Sequence, residues 1–242
     1  MRGESHLTAS ILMALPTSVV LFNLLPANSI EAVIYVLGGI MIGCLLPDVD
    51  ASDAKVMHGS WRPIGLFGKY LFYKPMTWLL RSKSDAFHEE HRGYLHSLLG
   101  CLLAAVFFAI PVGIIFLYLT FVEMVTLETT VLFWFLWIGI PLGFLMHLAE
   151  DSFTKSGVRW FFPRGKTYSG QTSTGKKSEY NLLTAFLILF GLFTVFVLMQ
   201  VATMELLAGS IVGSFVLLGI LYVVNPLISK LSNQDAIKKS RL

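Results

Sequence analysis

The chain has 242 residues, of which 55% are hydrophobic and 14% are charged, and its formal net charge is +3. A soluble domain carries about 25% charged residues, so this composition excludes an ordinary soluble protein. The mean hydropathy of +0.70 and several long apolar runs indicate an integral membrane protein.

Six apolar segments have the length, about 18 to 24 residues, that a hydrocarbon core of about 30 Å requires. We place the predicted membrane helices at 7–25, 30–47, 98–120, 131–149, 182–204 and 206–224. They predict an all-α integral membrane protein with one polytopic domain over residues 1–228. The basic tail, residues 229–242, is expected to be frayed.

The basic residues predict the orientation. If six spans follow the N-terminus, all 18 lysines and arginines fall on one side of the membrane, in 1–6, 48–97, 150–181 and 225–242. The turns on the other side, near 26–29, 121–130 and 205, contain none. Lysine and arginine concentrate in cytoplasmic loops. We therefore predict a multi-pass protein of the cell membrane with both termini and both long loops in the cytoplasm.

Each long loop contains a segment with its own pattern. Residues 61–80 mix aromatic, leucine and basic residues, interrupted by Pro63 and Pro75, which predicts an amphipathic segment lying in the membrane interface. In the second loop, glycine, serine and threonine between 169 and 178 predict a mobile hairpin.

His147 and Asp151 stand four residues apart at the end of the fourth predicted span. That spacing puts both side chains on one face of a helix, as two ligands of one metal ion require. Glu150 is expected to point elsewhere on this helix. The alternative is a histidine at a helix end beside a solvated aspartate.

Asp48 and Asp50 follow the second predicted span, directly after Pro47. Proline disfavours helix at the residue before it, so we expect an extended segment in which both carboxylates point the same way. Carboxylates this close to hydrocarbon are costly unless they are paired or coordinated. The alternative is a polar stop after a membrane helix.

A third polar group precedes the third span, in the run from His91 to Ser97. Gly93 allows a turn, so that His96 and Ser97 open the span while His91 reaches back from the loop. Ser97 has an alternative interpretation as the N-cap of the helix. His6, just before the first span, lies on the same predicted side, whereas His58 and His88 receive no role.

These positions together form the predicted metal ligands, which are His6, Asp48, Asp50, His91, His96, His147 and Asp151. Such a set exceeds the three protein ligands of a simple catalytic zinc site. It suits two metal ions that share a water. Imidazole and carboxylate ligands favour zinc or manganese over calcium.

The motifs resemble those of the YdjM family of membrane-bound, metal-dependent hydrolases of the cell inner membrane. The resemblance covers roughly residues 1–185 and rests on Gly3–His6, Leu45–Asp50, His91–Ser97 and Gly143–Val158. The family often has a histidine where this chain has Ala51, so His58, or no residue, takes that place here. A looser similarity joins the chain to zinc-dependent phospholipase C and P1-type nucleases, which implies cleavage of a phosphoester.

The resulting hypothesis is a hydrolase in which a metal-activated water attacks an ester at the cytoplasmic surface. Asp50, His96 and His147 are the predicted catalytic residues. The predicted substrate-binding residues are Arg92, Ser97, Thr154 and Arg159. We expect membrane lipid and a lipid or other anionic amphiphile as partners, and no nucleic acid.

Two other functions compete with the hydrolase. The chain can be a non-catalytic membrane anchor or regulator whose metal is structural. A transporter is the less favoured alternative, because transporters place ionisable residues and broken helices near mid-membrane. The predicted spans of this chain carry almost no ionisable residues.

Overall fold

The structure, a computed structural model, describes residues 3–25, 29–52, 54–82, 93–124 and 126–239. This part of the chain is helical, and within it no β-strand forms. Its α-helices are α1 (Gly3–Leu24), α2 (Ser29–Leu45), α3 (Arg62–Phe67), α4 (Lys74–Arg81), α5 (Leu98–Phe121), α6 (Leu127–Ser152), α7 (Lys177–Leu198) and α8 (Met204–Lys239).

Six of these helices are long and apolar enough to cross a membrane, which confirms the predicted number of spans. The spanning segments are Glu4–Leu24, Ile30–Asp50, Leu98–Phe121, Phe133–Ser152, Lys177–Leu198 and Met204–Pro226. The fifth spanning helix, α7, ends at Leu198, six residues earlier than predicted, because the chain turns before α8. The backbone N–H of Leu206 donates to Thr203 Oγ1 (3.1 Å), so Thr203 caps the next helix.

The predicted frayed tail is wrong as far as Lys239, because α8 continues past the end of the span to that residue. The residues after Pro226 include many strong helix formers, among them leucine, alanine and lysine, and no glycine or further proline. The helix therefore has no local reason to end at Ser229.

Helices α2 and α6 touch along their backbones. A Cβ atom added to Gly43 would lie 1.9 Å from the Ile140 carbonyl oxygen, and one added to Gly143 would lie 2.1 Å from the carbonyl oxygen of Ile40. Small residues four apart on both helices permit this approach, as in other pairs of membrane helices. The helices run in parallel, so the residues that follow α2 meet the C-terminal end of α6.

The segment from Arg62 to Arg81 is one helical rod in which a π-helical turn, Gly68–Tyr73, joins α3 to α4. Phe72 is fully buried, whereas Trp78 is 75% exposed, so the segment has a buried side and an exposed side. Its location in the membrane interface stays a prediction. Neither proline ends the rod. Pro63 lies in the first turn of α3, where its missing N–H costs little. Pro75 comes just after the π-helical turn, so the regular α-helical pattern is interrupted just before it.

The loop between α6 and α7 contains the predicted hairpin, in which Val158 and Tyr168 exchange both backbone hydrogen bonds (2.9 and 2.8 Å). Buried Asn225 of α8 donates to the Phe153 carbonyl oxygen (3.0 Å), and its side-chain oxygen accepts from the hydroxyl of Thr172 (2.9 Å). These bonds fasten the two ends of the hairpin to the bundle, and the predicted mobility of residues 169–178 stays a prediction.

Candidate metal centre

Four helix ends meet at one end of the bundle, and each contributes polar side chains. They are the first turn of α1, the 3₁₀ turn Leu46–Asp50 after α2, the 3₁₀ turn Tyr94–His96 before α5 and the last two turns of α6. The side chains that converge are His6, Asp48, His96, His147 and Asp151. We call these five residues the ligand cluster.

Two carboxylates lie between the three imidazoles of the ligand cluster. Asp48 Oδ1 is 3.6 Å from His96 Nε2 and 3.7 Å from His147 Nε2. Asp151 Oδ2 is 3.7 Å from His96 Nε2 and 3.8 Å from His147 Nε2. The other oxygen of Asp151 is 3.3 Å from His6 Nε2, and the His6 ring stacks on His147 with centroids 4.1 Å apart.

These distances define two overlapping groups whose donor atoms lie within 4.8 Å of one another. One group consists of His6, His147 and Asp151, and the other of Asp48, His96 and His147. Atoms that each lie about 2 Å from one ion are about 3–4 Å apart. The printed distances of 3.3 to 3.8 Å are therefore compatible with ligands of one ion in each group, and His147 is shared.

The environment of His147 supports a metal. The side chain is fully buried, and neither ring nitrogen makes a hydrogen bond to any residue that the structure describes. A buried polar group without a partner is rare, and one explanation for it is an ion. The donor set of imidazole and carboxylate suits zinc or manganese, so the residues fit the predicted cofactor.

Glu150 holds His6 in place from behind the ligand cluster. Its Oε2 is 2.7 Å from His6 Nδ1, and its Oε1 accepts a hydrogen bond from the hydroxyl of Ser10 (2.9 Å). A carboxylate on the far nitrogen of a ligand histidine fixes the ring and directs its other nitrogen to the metal. Nε2 of His6 accordingly faces Asp151.

The expectation that Glu150 points elsewhere on α6 is wrong. Glu150 is three residues after His147, and residues three apart share a helix face as residues four apart do. It is fully buried. The spacing from His147 was the signal in the sequence that identifies this supporting residue.

Asp48 and Asp50 do not lie as predicted, since Leu46–Asp50 is a 3₁₀ helix and not an extended segment. Pro47 is in its first turn, where proline is tolerated. With about three residues per turn, side chains two apart point to different sides. Asp48 accordingly enters the ligand cluster, whereas Asp50 is in neither group. Its metal-binding and catalytic roles stay predictions.

The predicted substrate-binding residues have structural contacts of their own. Ser97 caps α5, since its hydroxyl accepts from the Gly100 N–H (3.3 Å) and donates to the Tyr94 carbonyl oxygen. Thr154 is buried and donates to the Asp151 carbonyl oxygen (2.7 Å). Arg159 is exposed beside the ring of Phe162. A substrate contact by any of them stays a prediction.

Among the described histidines, His58 is the one that is not part of the ligand cluster. His58 is exposed, and its Nε2 is 3.0 Å from the carbonyl oxygen of Ser52, so it does not stand in for a ligand at Ala51. His88, His91 and Arg92 lie outside the described residues.

The chain matches the YdjM inner membrane protein family over residues 1–230. It belongs to this family. Neither a curated protein nor a solved structure matches it. The six spanning helices and the family together make it a multi-pass membrane protein with buried His/Asp groups that can hold a metal ion.

In this YdjM-family protein, Glu150→Gln is expected to lower metal affinity about 10–100-fold while the protein still folds. The amide is nearly the same size, but it is a weaker acceptor for His6 and leaves the ring less firmly oriented. Metal titration of the purified variant, followed by elemental analysis, measures the change.

Glu205→Gln is the control, because that carboxyl is exposed at the start of α8, at the end of the bundle opposite the ligand cluster. Unchanged metal affinity in Glu150→Gln would show that the carboxylate does not act on the site.

Proposed function

We propose that the protein is a metal-dependent hydrolase that cleaves a phosphoester of a lipid or another amphiphile at the membrane surface. The observation that supports this most is the convergence of two other imidazoles and two carboxylates on His147, whose ring nitrogens are buried without hydrogen bonds in the described part of the chain.

The ligand cluster is shielded from solvent except at one residue. His6, His96, His147 and Asp151 are at most 2% exposed, whereas Asp48 is 20% exposed. Structural metal sites are fully enclosed by protein ligands, and catalytic sites keep a position for water or substrate. The exposure of Asp48 therefore favours a catalytic metal and marks the side from which a substrate would approach.

Each residue of the site has a defined task in this proposal. His6, His147 and Asp151 would hold one ion, and Asp48, His96 and His147 would hold a second or the same one. When bound, the metal supplies Lewis acidity and an activated water. Glu150 orients His6, and the surrounding apolar residues, such as Phe144 and Leu148, keep bulk water from the buried face.

The location of the ligand cluster favours an amphiphilic substrate. His6 lies in the first turn of one spanning segment, and Asp48 and Asp151 lie in the last turn of two others. At this depth the reacting group of an amphiphilic substrate would be level with the lipid headgroups, while the apolar part of the substrate would stay in the hydrocarbon. Exposed Arg159, at the same end of the bundle, has a planar guanidinium suited to phosphate.

The test is a hydrolase screen on protein purified without chelator. We expect zinc or manganese, near two ions per chain, and cleavage of one or more phospholipids or polyprenyl phosphates presented in micelles. Carboxyl esters and amides complete the panel. Metal-loaded protein that cleaves no member of the panel would overturn the proposal and favour the anchor or regulator with a structural metal.

We further propose that this end of the bundle faces the cytoplasm, because every lysine and arginine of the chain lies in the segments joined to it. Single cysteines placed at Ser156 in the hairpin and at Met124 after α5, in a background without Cys44 and Cys101, should differ in labelling. An impermeant maleimide on intact cells should label the cysteine at 124 and not the one at 156. The reverse pattern would contradict the orientation.

A further inference from the structure

An apolar crevice of about 270 Å³ lies between α6, α8 and the hairpin. Aromatic side chains make up most of its wall. They are Phe153, Trp160, Tyr168, Phe215 and Tyr222. A cavity with this lining accepts a hydrophobic ligand.

The crevice is on the opposite face of α6 from the ligand cluster. Ala149 and Ser152 line the crevice, whereas His147 and Asp151 belong to the ligand cluster. At about 100° per residue, Ala149 is about 160° from both of those residues around the helix axis. The crevice is therefore separate from the site where a substrate would react.

The mouth of the crevice is continuous with the outer surface of the spanning part of α8. Gly219 is at the mouth, and a Cβ atom added to it would meet nothing within 4 Å. Its helix neighbours Val216, Ile220 and Val223 are 56%, 50% and 75% exposed. Because this surface is within a membrane-spanning segment, the crevice opens to the hydrocarbon of the bilayer. The acyl chains of the surrounding lipids can therefore reach the crevice directly.

The hairpin above the crevice is basic. It contributes Trp160 and Tyr168 to the wall, and between residues 153 and 172 the sequence contains no aspartate or glutamate. Its cations are all exposed, and they are Lys155, Arg159, Arg164 and Lys166. A lipid whose chain enters the crevice would place its phosphate near these side chains, as at other basic sites beside membrane helices.

We propose that the crevice binds one acyl chain of an anionic phospholipid of the surrounding bilayer, with the lipid phosphate against the basic hairpin. The apolar wall accounts for the chain and the hairpin for the charge preference. This lipid is a bound component of the fold and not the substrate, so the proposal stands independently of the hydrolase activity.

The experiment uses the full chain in phosphatidylcholine nanodiscs that contain increasing fractions of brominated lipid. Bromine quenches tryptophan, and the difference between wild type and Trp160→Phe isolates the signal of Trp160 from the other four tryptophans. We expect brominated phosphatidylglycerol to quench Trp160 at a mole fraction about tenfold lower than brominated phosphatidylcholine requires, since the cations attract the anionic lipid.

Two variants distinguish the binding of the acyl chain in the crevice from the attraction of the lipid phosphate to the basic hairpin. Gly219→Leu places a side chain in the mouth and should raise the required fraction of the anionic lipid about tenfold, because less of the chain is buried. Gly209→Leu is the matched control on the same helix, since an added Cβ there also meets nothing, and it should behave as wild type. Replacing Lys155, Arg164 and Lys166 by glutamine should remove the preference for phosphatidylglycerol but leave quenching by both lipids.

Equal quenching of Trp160 by the two brominated lipids would overturn the proposal, and besides the wild type that comparison needs only folded Trp160→Phe. Unchanged quenching in folded Gly219→Leu would also overturn the proposal, because the acyl chain would then lie outside the crevice. Hydrolase activity enters neither comparison, so a failure here leaves the proposed reaction untouched, and the reverse holds as well.

Discussion

His147→Ala is expected to abolish metal binding and to lower any hydrolytic activity by several orders of magnitude. The Nε2 atom of His147 lies 3.7 Å from Asp48 Oδ1 and 3.8 Å from Asp151 Oδ2, and His147 belongs to both groups of candidate ligands. Its loss therefore removes a donor from each group at once. Elemental analysis and the hydrolase screen on the purified variant measure the two effects.

The variant should still insert and fold, because the span Phe133–Ser152 keeps its apolar length. Size-exclusion chromatography in detergent tests this. His58→Ala is the matched control, since His58 is an exposed histidine bonded to the Ser52 carbonyl oxygen outside the ligand cluster. If His58→Ala lost as much metal as His147→Ala, or if folded His147→Ala kept its metal, the ligand assignment would be wrong.

Gly143→Leu is expected to prevent α2 and α6 from packing, so that little folded protein accumulates. The first atom of the new side chain would lie 2.1 Å from the Ile40 carbonyl oxygen, and backbone cannot move aside as a flexible side chain can. Overpacking of an ordinary core costs about 1–3 kcal/mol. A clash between two helix backbones should exceed that range. Thermal unfolding followed by fluorescence-detected size exclusion measures the loss.

Gly191→Leu is the control for this substitution. An added Cβ at Gly191 in α7 meets nothing within 4 Å, so a leucine there should melt like wild type. Any Gly143→Leu protein that is recovered should also have lost metal, because the α2–α6 contact is what carries Asp48 to His147. A variant that melted and bound metal as the wild type does would disprove the close packing.

Much of the architecture could be predicted from the sequence, because it depends on local patterns. A membrane span is a continuous apolar run, so six runs of sufficient length predicted six helices. The pairing of His147 with Asp151 follows from helix periodicity alone. Family membership also follows from sequence, since the match to the family extends over residues 1–230.

The assembly of the site was decided by tertiary structure, because its residues are distant in the sequence. His6 and Glu150 are 144 positions apart, yet 2.7 Å separates Nδ1 from Oε2. No local pattern predicts that contact, which depends on how α1 packs beside α6. The different positions of Asp48 and Asp50 also depend on tertiary structure. The 3₁₀ turn that contains both residues forms where α2 ends against α6, and of the two it places Asp48 in the ligand cluster.

The same distinction applies to the glycines of α2 and α6. Their spacing is visible in the sequence, but a small residue in a membrane helix has no defined partner until two helices meet. In the folded chain Gly43 and Gly143 bring two backbones into contact and fix the register of the parallel pair. Hydropathy thus determined which segments enter the membrane, and backbone contact between helices determined which polar residues meet at their ends.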